Sequence, residues 1–352
     1  MGKLVYWTLR SMCSVAALFY FRSIEINGKG DVPVDGLIIF APNHQNAFLD
    51  GILIGIFSHL RVSFFTRGDI FVKPYLWLLK ALSLLPVFRA KDGFSMSAQN
   101  GDTFDIAVKT LLSQKPLMIF PEANHDYPYI LRTLSKGTAR IGFLAQKATD
   151  KNVYIVPVGL NYFRRHSPRF KLIINYGKPI CIKDYMKQYA DHKGKALSAV
   201  KKEMTTRLKK EMLVPDRDEK YEEQIIKVFN RKNESLTFIE LCNTKFEALA
   251  ATTFKWLKPL VFLLSIPNII PFLFSKYLIS LFKDPVFQGS IKFGVAALFC
   301  PLWYTFLFII IGFGWNFNIS TIIIAVSIAL LFARQELKRL YTDTEYKFIT
   351  KW

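Results

Sequence analysis

An α/β fold, a mixed and largely parallel sheet flanked by helices, is predicted for the middle of this 352-residue chain by two observations. Short apolar runs bounded by Gly or Pro recur between residues 37 and 176, and segments of helical period lie between them. That alternation is what a parallel sheet with crossover helices requires. A third observation adds a bilayer: long apolar stretches near both ends predict an N-terminal membrane-lying helix and a C-terminal transmembrane hairpin.

In chain order, residues 4–21 carry a single charge, Arg10, and no small-x-small cleavage site follows them. Tyr6, Trp7, Phe19, Tyr20 and Phe21 surround the basic Lys3, Arg10 and Arg22, which favours a helix lying in the membrane surface. The predicted strands are 37–41, 62–65, 84–88, 117–120, 153–158 and 172–176, each too short and too uniformly apolar to be a surface helix. The predicted helices between them are 47–57, 75–82, 104–113 and 139–148. Residues 191–232 hold 12 Lys+Arg and 8 Asp+Glu and read as a solvated helical bridge broken at Pro215. Residues 259–275 are uncharged, but Pro259, Pro267 and Pro271 interrupt them, so a re-entrant or surface-lying element is expected.

Residues 293–333 are 41 positions without a charge, about 60 Å of helix and enough for two crossings of a ~30 Å hydrocarbon layer. The GFGWNFN stretch at 312–318 has the composition of a turn in an aromatic interface belt. Lys283 and Lys292 on one flank, with Arg334, Lys338 and Arg339 on the other, place both outer ends on the cytoplasmic side. The expected organisation is a membrane-associated helix over 1–30, the α/β domain over 31–185, the charged bridge over 186–254 and a membrane region over 255–352.

Composition narrows the function. A chain that is 51% hydrophobic and 21% charged is neither disordered nor a heptad coiled coil. Its four cysteines have no paired spacing, so neither a disulfide framework nor a metal site is expected. The formal charge of +20 implies an anionic neighbour, and the apolar runs favour a phospholipid bilayer over nucleic acid, for which no basic module with base-stacking aromatics is present.

Three polar constellations follow apolar strands. The first is NHQNAFLD at 43–50, where His44 can take a proton near neutral pH and Asp50 can orient its ring. Six residues turn an ideal helix about 600°, so the two cannot share a helical face. His44 must precede the helix, with Asn46 as its cap and Asp50 in its first turns. The second is FPEANHD at 120–126, whose Glu122, Asn124, His125 and Asp126 can hold a polyol by hydrogen bonds. The third is PVFR at 86–89, where Arg89 offers a donor fork suited to phosphate. If the strands are parallel, all three converge on one edge of the sheet.

NHQNAFLD, LLPVFR, FPEA and IVPVGLNY, in that order, with YGKPI at 176–180, resemble the blocks of the glycerolipid acyltransferase superfamily typified by 1-acyl-glycerol-3-phosphate acyltransferases. The resemblance covers residues 35 to about 180. Two departures are the five-residue gap between His44 and Asp50, where four is usual, and Ala123 where a Gly is usual. The wider gap, His125-Asp126, the element at 100–104 and LSKG at 134–137 are closer to the fungal-type glycerol-3-phosphate/dihydroxyacetone-phosphate acyltransferases. The resemblance implies that His44, oriented by Asp50, deprotonates an acceptor hydroxyl as it attacks an acyl thioester. It also implies that Arg89 clamps the acceptor's phosphate and Glu122 holds its hydroxyls, with Arg132 and Lys136 as further phosphate contacts. The donor would be acyl-CoA or acyl carrier protein and the acceptor glycerol 3-phosphate or a lysophospholipid, with no cofactor, in an integral membrane protein whose catalytic domain is cytoplasmic. Two other readings share the sequence features: an acyltransferase that remodels mature lysophospholipids, and a non-catalytic lipid-binding membrane protein.

Overall fold

Successive side chains of a strand point to opposite faces, so a strand apolar at every position must be covered on both sides. A computed structural model, describing residues 2–68, 71, 73–87, 100–123, 129–214, 218, 220–229, 231–244 and 255–341, shows how this is met. The strands are β1 (Ile24–Asn27), β2 (Leu37–Pro42), β3 (Ser63–Arg67), β4 (Leu84–Val87), β5 (Leu117–Met118), β6 (Val153–Tyr162), β7 (Leu172–Tyr176) and β8 (Ile180–Cys181). They form one sheet in the order β1-β7-β6-β2-β5-β3-β4, with β8 also paired to β6. Neighbours from β6 through β2, β5 and β3 to β4 are parallel, whereas β7 and β8 run antiparallel to β6. The α/β class with a largely parallel sheet is therefore the observed one.

The helices are α1 (Gly2–Tyr20), α2 (Ala47–Phe57), α3 (Leu76–Ala81), α4 (Asn100–Leu112), α5 (Gly137–Lys147), α6 (Met186–Asp191), α7 (Lys193–Lys210), α8 (Tyr221–Val228), α9 (Phe238–Asn243), α10 (Lys258–Leu263), α11 (Ile269–Ser280), α12 (Phe287–Gly294), α13 (Cys300–Gly314) and α14 (Phe317–Tyr341). The pleat of β2 divides the core. Ile38 and Phe40 pack with Leu49, Leu53 and Ile54 of α2 and with Ala16, Ala17 and Tyr20 of α1. Leu37, Ile39 and Ala41 point the other way, toward Ala107 and Leu111 of α4 and Phe143 of α5.

Two boundaries drawn from composition differ from the observed ones. Residues 24–27, grouped with the N-terminal helix, are a strand of the sheet, paired in parallel with β7 from Ile24 opposite Leu172 to Asn27 opposite Asn175. The segment read as a solvated bridge contains α7, whose Ala196, Val200, Met204 and Leu208 are buried in the same core as β2 and α5. Spaced by four, these residues form one stripe, and full burial of each of the larger side chains is worth about 1.5–3 kcal/mol. The stripe is hidden in the sequence by the lysines on the other faces of the helix.

Arg10 and Arg22 are engaged within the protein. Arg10 donates to the carbonyls of Ile56 and Leu60 at the end of α2, and Arg22 pairs with Glu336 of α14 at 2.7 Å. α1 nonetheless leaves Leu4, Trp7, Val15, Leu18 and Phe19 exposed.

At the other end, α12 runs through a π-helical turn (Val295–Phe299) into α13, and α14 returns antiparallel after Trp315 and Asn316. The helices Phe287–Gly314 and Phe317–Leu340 are long and apolar enough to cross a membrane, and only 11% of the most apolar window of each is buried. A core helix of a soluble domain would be covered on most sides, and these are not. Between them and α9, the 259–275 stretch is broken at Pro267 into α10 and α11. The buried Asn268 at the break donates to the Ser327 carbonyl and accepts from the Tyr304 hydroxyl at 2.6 Å, which ties the break to both long helices.

Candidate functional site

The parallel strands β2, β5 and β6 direct their carboxyl ends to one edge of the sheet, and the polar groups that follow them meet there. Asn43 anchors the loop after β2. Its side-chain amide donates to the Leu160 carbonyl at 3.0 Å and accepts the Leu160 N–H at 2.7 Å, completing the ladder to β6 where β2 stops.

His44 then lies outside the helix, as the spacing requires, and its Nδ1 is 2.9 Å from Asp50 Oδ2. The carboxylate can only accept, so Nδ1 carries the proton and Nε2 is left with the lone pair of a base. The same Oδ2 accepts the N–H groups of Gln45 and Asn46 at 2.8 and 2.7 Å, and Oδ1 accepts the hydroxyl of Tyr162 at 2.6 Å. Asp50 is wholly buried, a costly place for a carboxylate unless its oxygens are satisfied, and four donors satisfy them here. Burial, and next the Asp50 charge, push the Tyr162 hydroxyl well above its ordinary pKa, so it remains a donor. The His44 ring stacks on Phe120 with centroids 3.8 Å apart and planes 18° from parallel, which fixes the plane in which Nε2 points. Asn46 stands at the N-cap position of α2 as expected but makes no side-chain cap bond. The loop is closed instead by Asp50, reaching back from the first turn.

Glu122 follows β5. Its Oε1 accepts the His44 N–H at 2.8 Å, and its Oε2 accepts the Arg132 Nε–H and N–H at 3.1 and 3.2 Å. Burial raises the carboxyl above its ordinary pKa against the opposing pull of the His44 N–H and the Arg132 guanidinium. The loop that carries Arg132 is held to this turn by the Ser135 N–H, which donates to the Pro121 carbonyl. Arg132 Nη2 is buried without a hydrogen-bond partner among the described residues. Ala123 adopts φ +64°, the left-handed conformation that a Gly would enter without strain. Lys136 lies exposed just before α5. Arg89, Asn124, His125 and Asp126 fall outside the described residues.

The structure thus brings together His44, Asp50, Glu122 and Arg132 of the residues singled out in the sequence. It adds Tyr162, Phe120 and Asn43, which lie inside the same motifs but were given no role there. No cluster that could hold a metal ion occurs among the described residues. Chemically, the arrangement is a buried carboxylate that orients an imidazole, beside a second carboxyl and a guanidinium with one donor unpartnered among the described residues. That is the equipment for removing a proton from a hydroxyl held near an anionic group.

A family model described as Acyltransferase matches residues 23–161. Glycerol-3-phosphate O-acyltransferase 2 of Saccharomyces cerevisiae is 32% identical over 119 residues, 33% of this chain and 16% of that protein, so the match spans about one sixth of the relative's length. The crystal structure of the 1-acyl-sn-glycerophosphate (LPA) acyltransferase PlsC of Thermotoga maritima superposes with a TM-score of 0.42 at 16% identity, covering 58% of this chain and 80% of that one.

Proposed function

We propose that residues 23–161, matched by a family model described as Acyltransferase, are the catalytic domain of a glycerolipid acyltransferase, and that this protein moves a fatty acyl chain from acyl-CoA or acyl carrier protein to a hydroxyl of glycerol 3-phosphate or a lysophospholipid. The observation that carries the reading is the His44–Asp50 pair, 2.9 Å apart, with the carboxylate buried and held by three further donors.

In this mechanism His44 Nε2 takes the proton of the acceptor hydroxyl as its oxygen attacks the thioester carbonyl. Asp50 steadies the imidazolium that forms. The tetrahedral intermediate collapses with loss of the thiolate, which receives the proton back from His44, leaving an ester and a thiol. General-base assistance of this kind is worth about 10²- to 10⁴-fold. Glu122 keeps His44 and Arg132 in register through its two oxygens. Arg132, whose Nη2 has no hydrogen-bond partner among the described residues, binds the acceptor's phosphate in this reading, a role also assigned from the sequence to Arg89 and Lys136, with Asn124, His125 and Asp126 assigned to the acceptor's hydroxyls. Such a donor set suits a phosphorylated polyol. The similarity to the yeast glycerol-3-phosphate enzyme favours glycerol 3-phosphate as acceptor.

The two long apolar helices cross the bilayer in this reading, with the cationic flanks and the catalytic domain on the cytoplasmic face. An acyl chain and a lipid product then pass between site and membrane without entering water. Radiolabelled acyl transfer by the full chain to glycerol 3-phosphate, lysophosphatidate and lysophosphatidylcholine, run in parallel, tests the proposal. Label is expected in lysophosphatidate from the first acceptor, and no labelled product from any of them defeats it.

A further inference from the structure

α2 carries Asp50 in its first turn, yet its own N-terminal residue does not cap it. The Asn46 side chain is committed elsewhere, its Nδ2 donating to the Arg165 carbonyl at 3.1 Å. The hydroxyl that serves this turn comes from α12. Ser290 Oγ accepts the Leu49 N–H at 2.9 Å and donates to the Asn46 carbonyl at 2.6 Å, bridging the turn from 241 residues further along the chain.

The neighbouring glycine permits this contact. A Cβ on Gly289 would stand 2.3 Å from the Arg165 carbonyl oxygen and 2.4 Å from Asn46 Oδ1, so any other residue would push α12 away. Tyr20 at the end of α1 adds its hydroxyl to the Gly289 carbonyl, and Phe293, one turn on, is buried in the core beneath α2. Ala47, the first residue of α2, has φ +41°, a conformation that persists only where its surroundings impose it. Asn46 is also one of the two residues whose N–H groups hold Asp50 Oδ2. Ser290 therefore holds the carbonyl of Asn46, the residue whose N–H on the other side holds Asp50, which in turn orients His44. The same α12 runs on into the first long apolar helix.

We propose that Ser290 is a positioning residue for the His44–Asp50 pair, and that the reacting geometry is complete only while the base of the C-terminal hairpin is docked on the first turn of α2. The inference rests on the proposed acyl transfer for its kinetic readout. It makes the segment matched by the family model, residues 23–161, insufficient by itself: the membrane hairpin supplies a part of the working site.

The test uses the full chain in phospholipid vesicles. Misplacement of a reacting group by about 1 Å costs on the order of 10²-fold. Ser290→Ala should accordingly lower kcat by roughly ten- to a hundredfold while leaving KM for donor and acceptor unchanged, and Ser290→Thr, which keeps the hydroxyl, should restore most of the rate. Gly289→Ala should reproduce the loss. A Ser290→Ala enzyme with wild-type kcat, or one whose loss of rate is matched by an equal loss of folded protein, overturns the proposal. Hydrogen exchange separates this failure from failure of the proposed function. If the wild-type chain transfers no acyl group, Ser290→Ala must still raise exchange at Leu49 and Asp50 selectively over α5, and equal protection there sinks the inference on structural grounds alone.

Discussion

Replacing Asp50 with Asn keeps the shape of the side chain and removes its charge. Asp50 Oδ2 receives three donors, from His44, Gln45 and Asn46, so the amide oxygen must remain on that side and the new NH₂ must face Tyr162, whose hydroxyl can turn to accept it. The loop is therefore expected to keep its conformation. What changes is the bond to His44. A hydrogen bond to a charged partner contributes about 1.5–3 kcal/mol, against about 1 kcal/mol between neutral groups. The difference grows when the ring becomes an imidazolium beside a carboxylate that is wholly buried. A loss of about 3–5 kcal/mol in the transition state corresponds to on the order of 10²- to 10⁴-fold in kcat, the same range that general-base assistance covers. Initial rates with saturating glycerol 3-phosphate and acyl thioester measure it, with KM unchanged because neither substrate touches Asp50. A kcat within threefold of wild type would refute the view that the buried carboxylate drives the base, and a purely KM effect would assign Asp50 to binding.

Other outcomes follow from single contacts. Tyr162→Phe strips one donor from a wholly buried carboxylate, and a loss of about 1–3 kcal/mol in stability, read as a lower urea midpoint at unchanged m, is expected; an unaltered midpoint contradicts it. Ala123→Gly relieves a left-handed alanine, a strain of about 1–2 kcal/mol, part of which is offset by the greater freedom of Gly in the unfolded chain. The thermal midpoint should rise, and a fall means that the turn does not hold that conformation. Burial opposes ionisation of Glu25 but is outweighed by Lys171, Asn27 and the Phe238 N–H, which hold its carboxyl below the ordinary value. Its stabilisation is present above the unfolded carboxyl pKa and is lost as pH falls through the lowered folded value. Glu25→Gln should therefore flatten the acid side of the stability curve below about pH 4.5, and an identical acid limb in both proteins rules that out.

What was legible in the sequence was local. The β2 run and the α2 pattern were read with accurate limits because strand and helix periods are set by near neighbours, and the positions of His44, Asp50 and Glu122 after strands followed from that. The turn of the long apolar hairpin was marked by its Gly and Asn residues, and Ala123, flagged because a Gly is usual there, turned out to be the left-handed residue of its turn. The parts that escaped depend on distant partners. β1 is too short to announce itself and exists by pairing with β7. Nothing near Tyr162 in sequence reveals that its hydroxyl closes the Asp50 cage 112 residues away, although a polar Tyr ending an apolar strand beside the site is a usable signal. Ser290 lies on the charged flank just before the 293–333 run, where nothing local points to a partner in α2.

In the proposed reaction one imidazole, that of His44, does the proton transfer. The most direct measurement is acyl transfer to glycerol 3-phosphate by purified His44→Ala protein, with folding confirmed by an unchanged circular dichroism spectrum. The expected kcat is lower by about 10²- to 10⁴-fold, with the acceptor still bound. Transfer at the wild-type rate from that protein would contradict it.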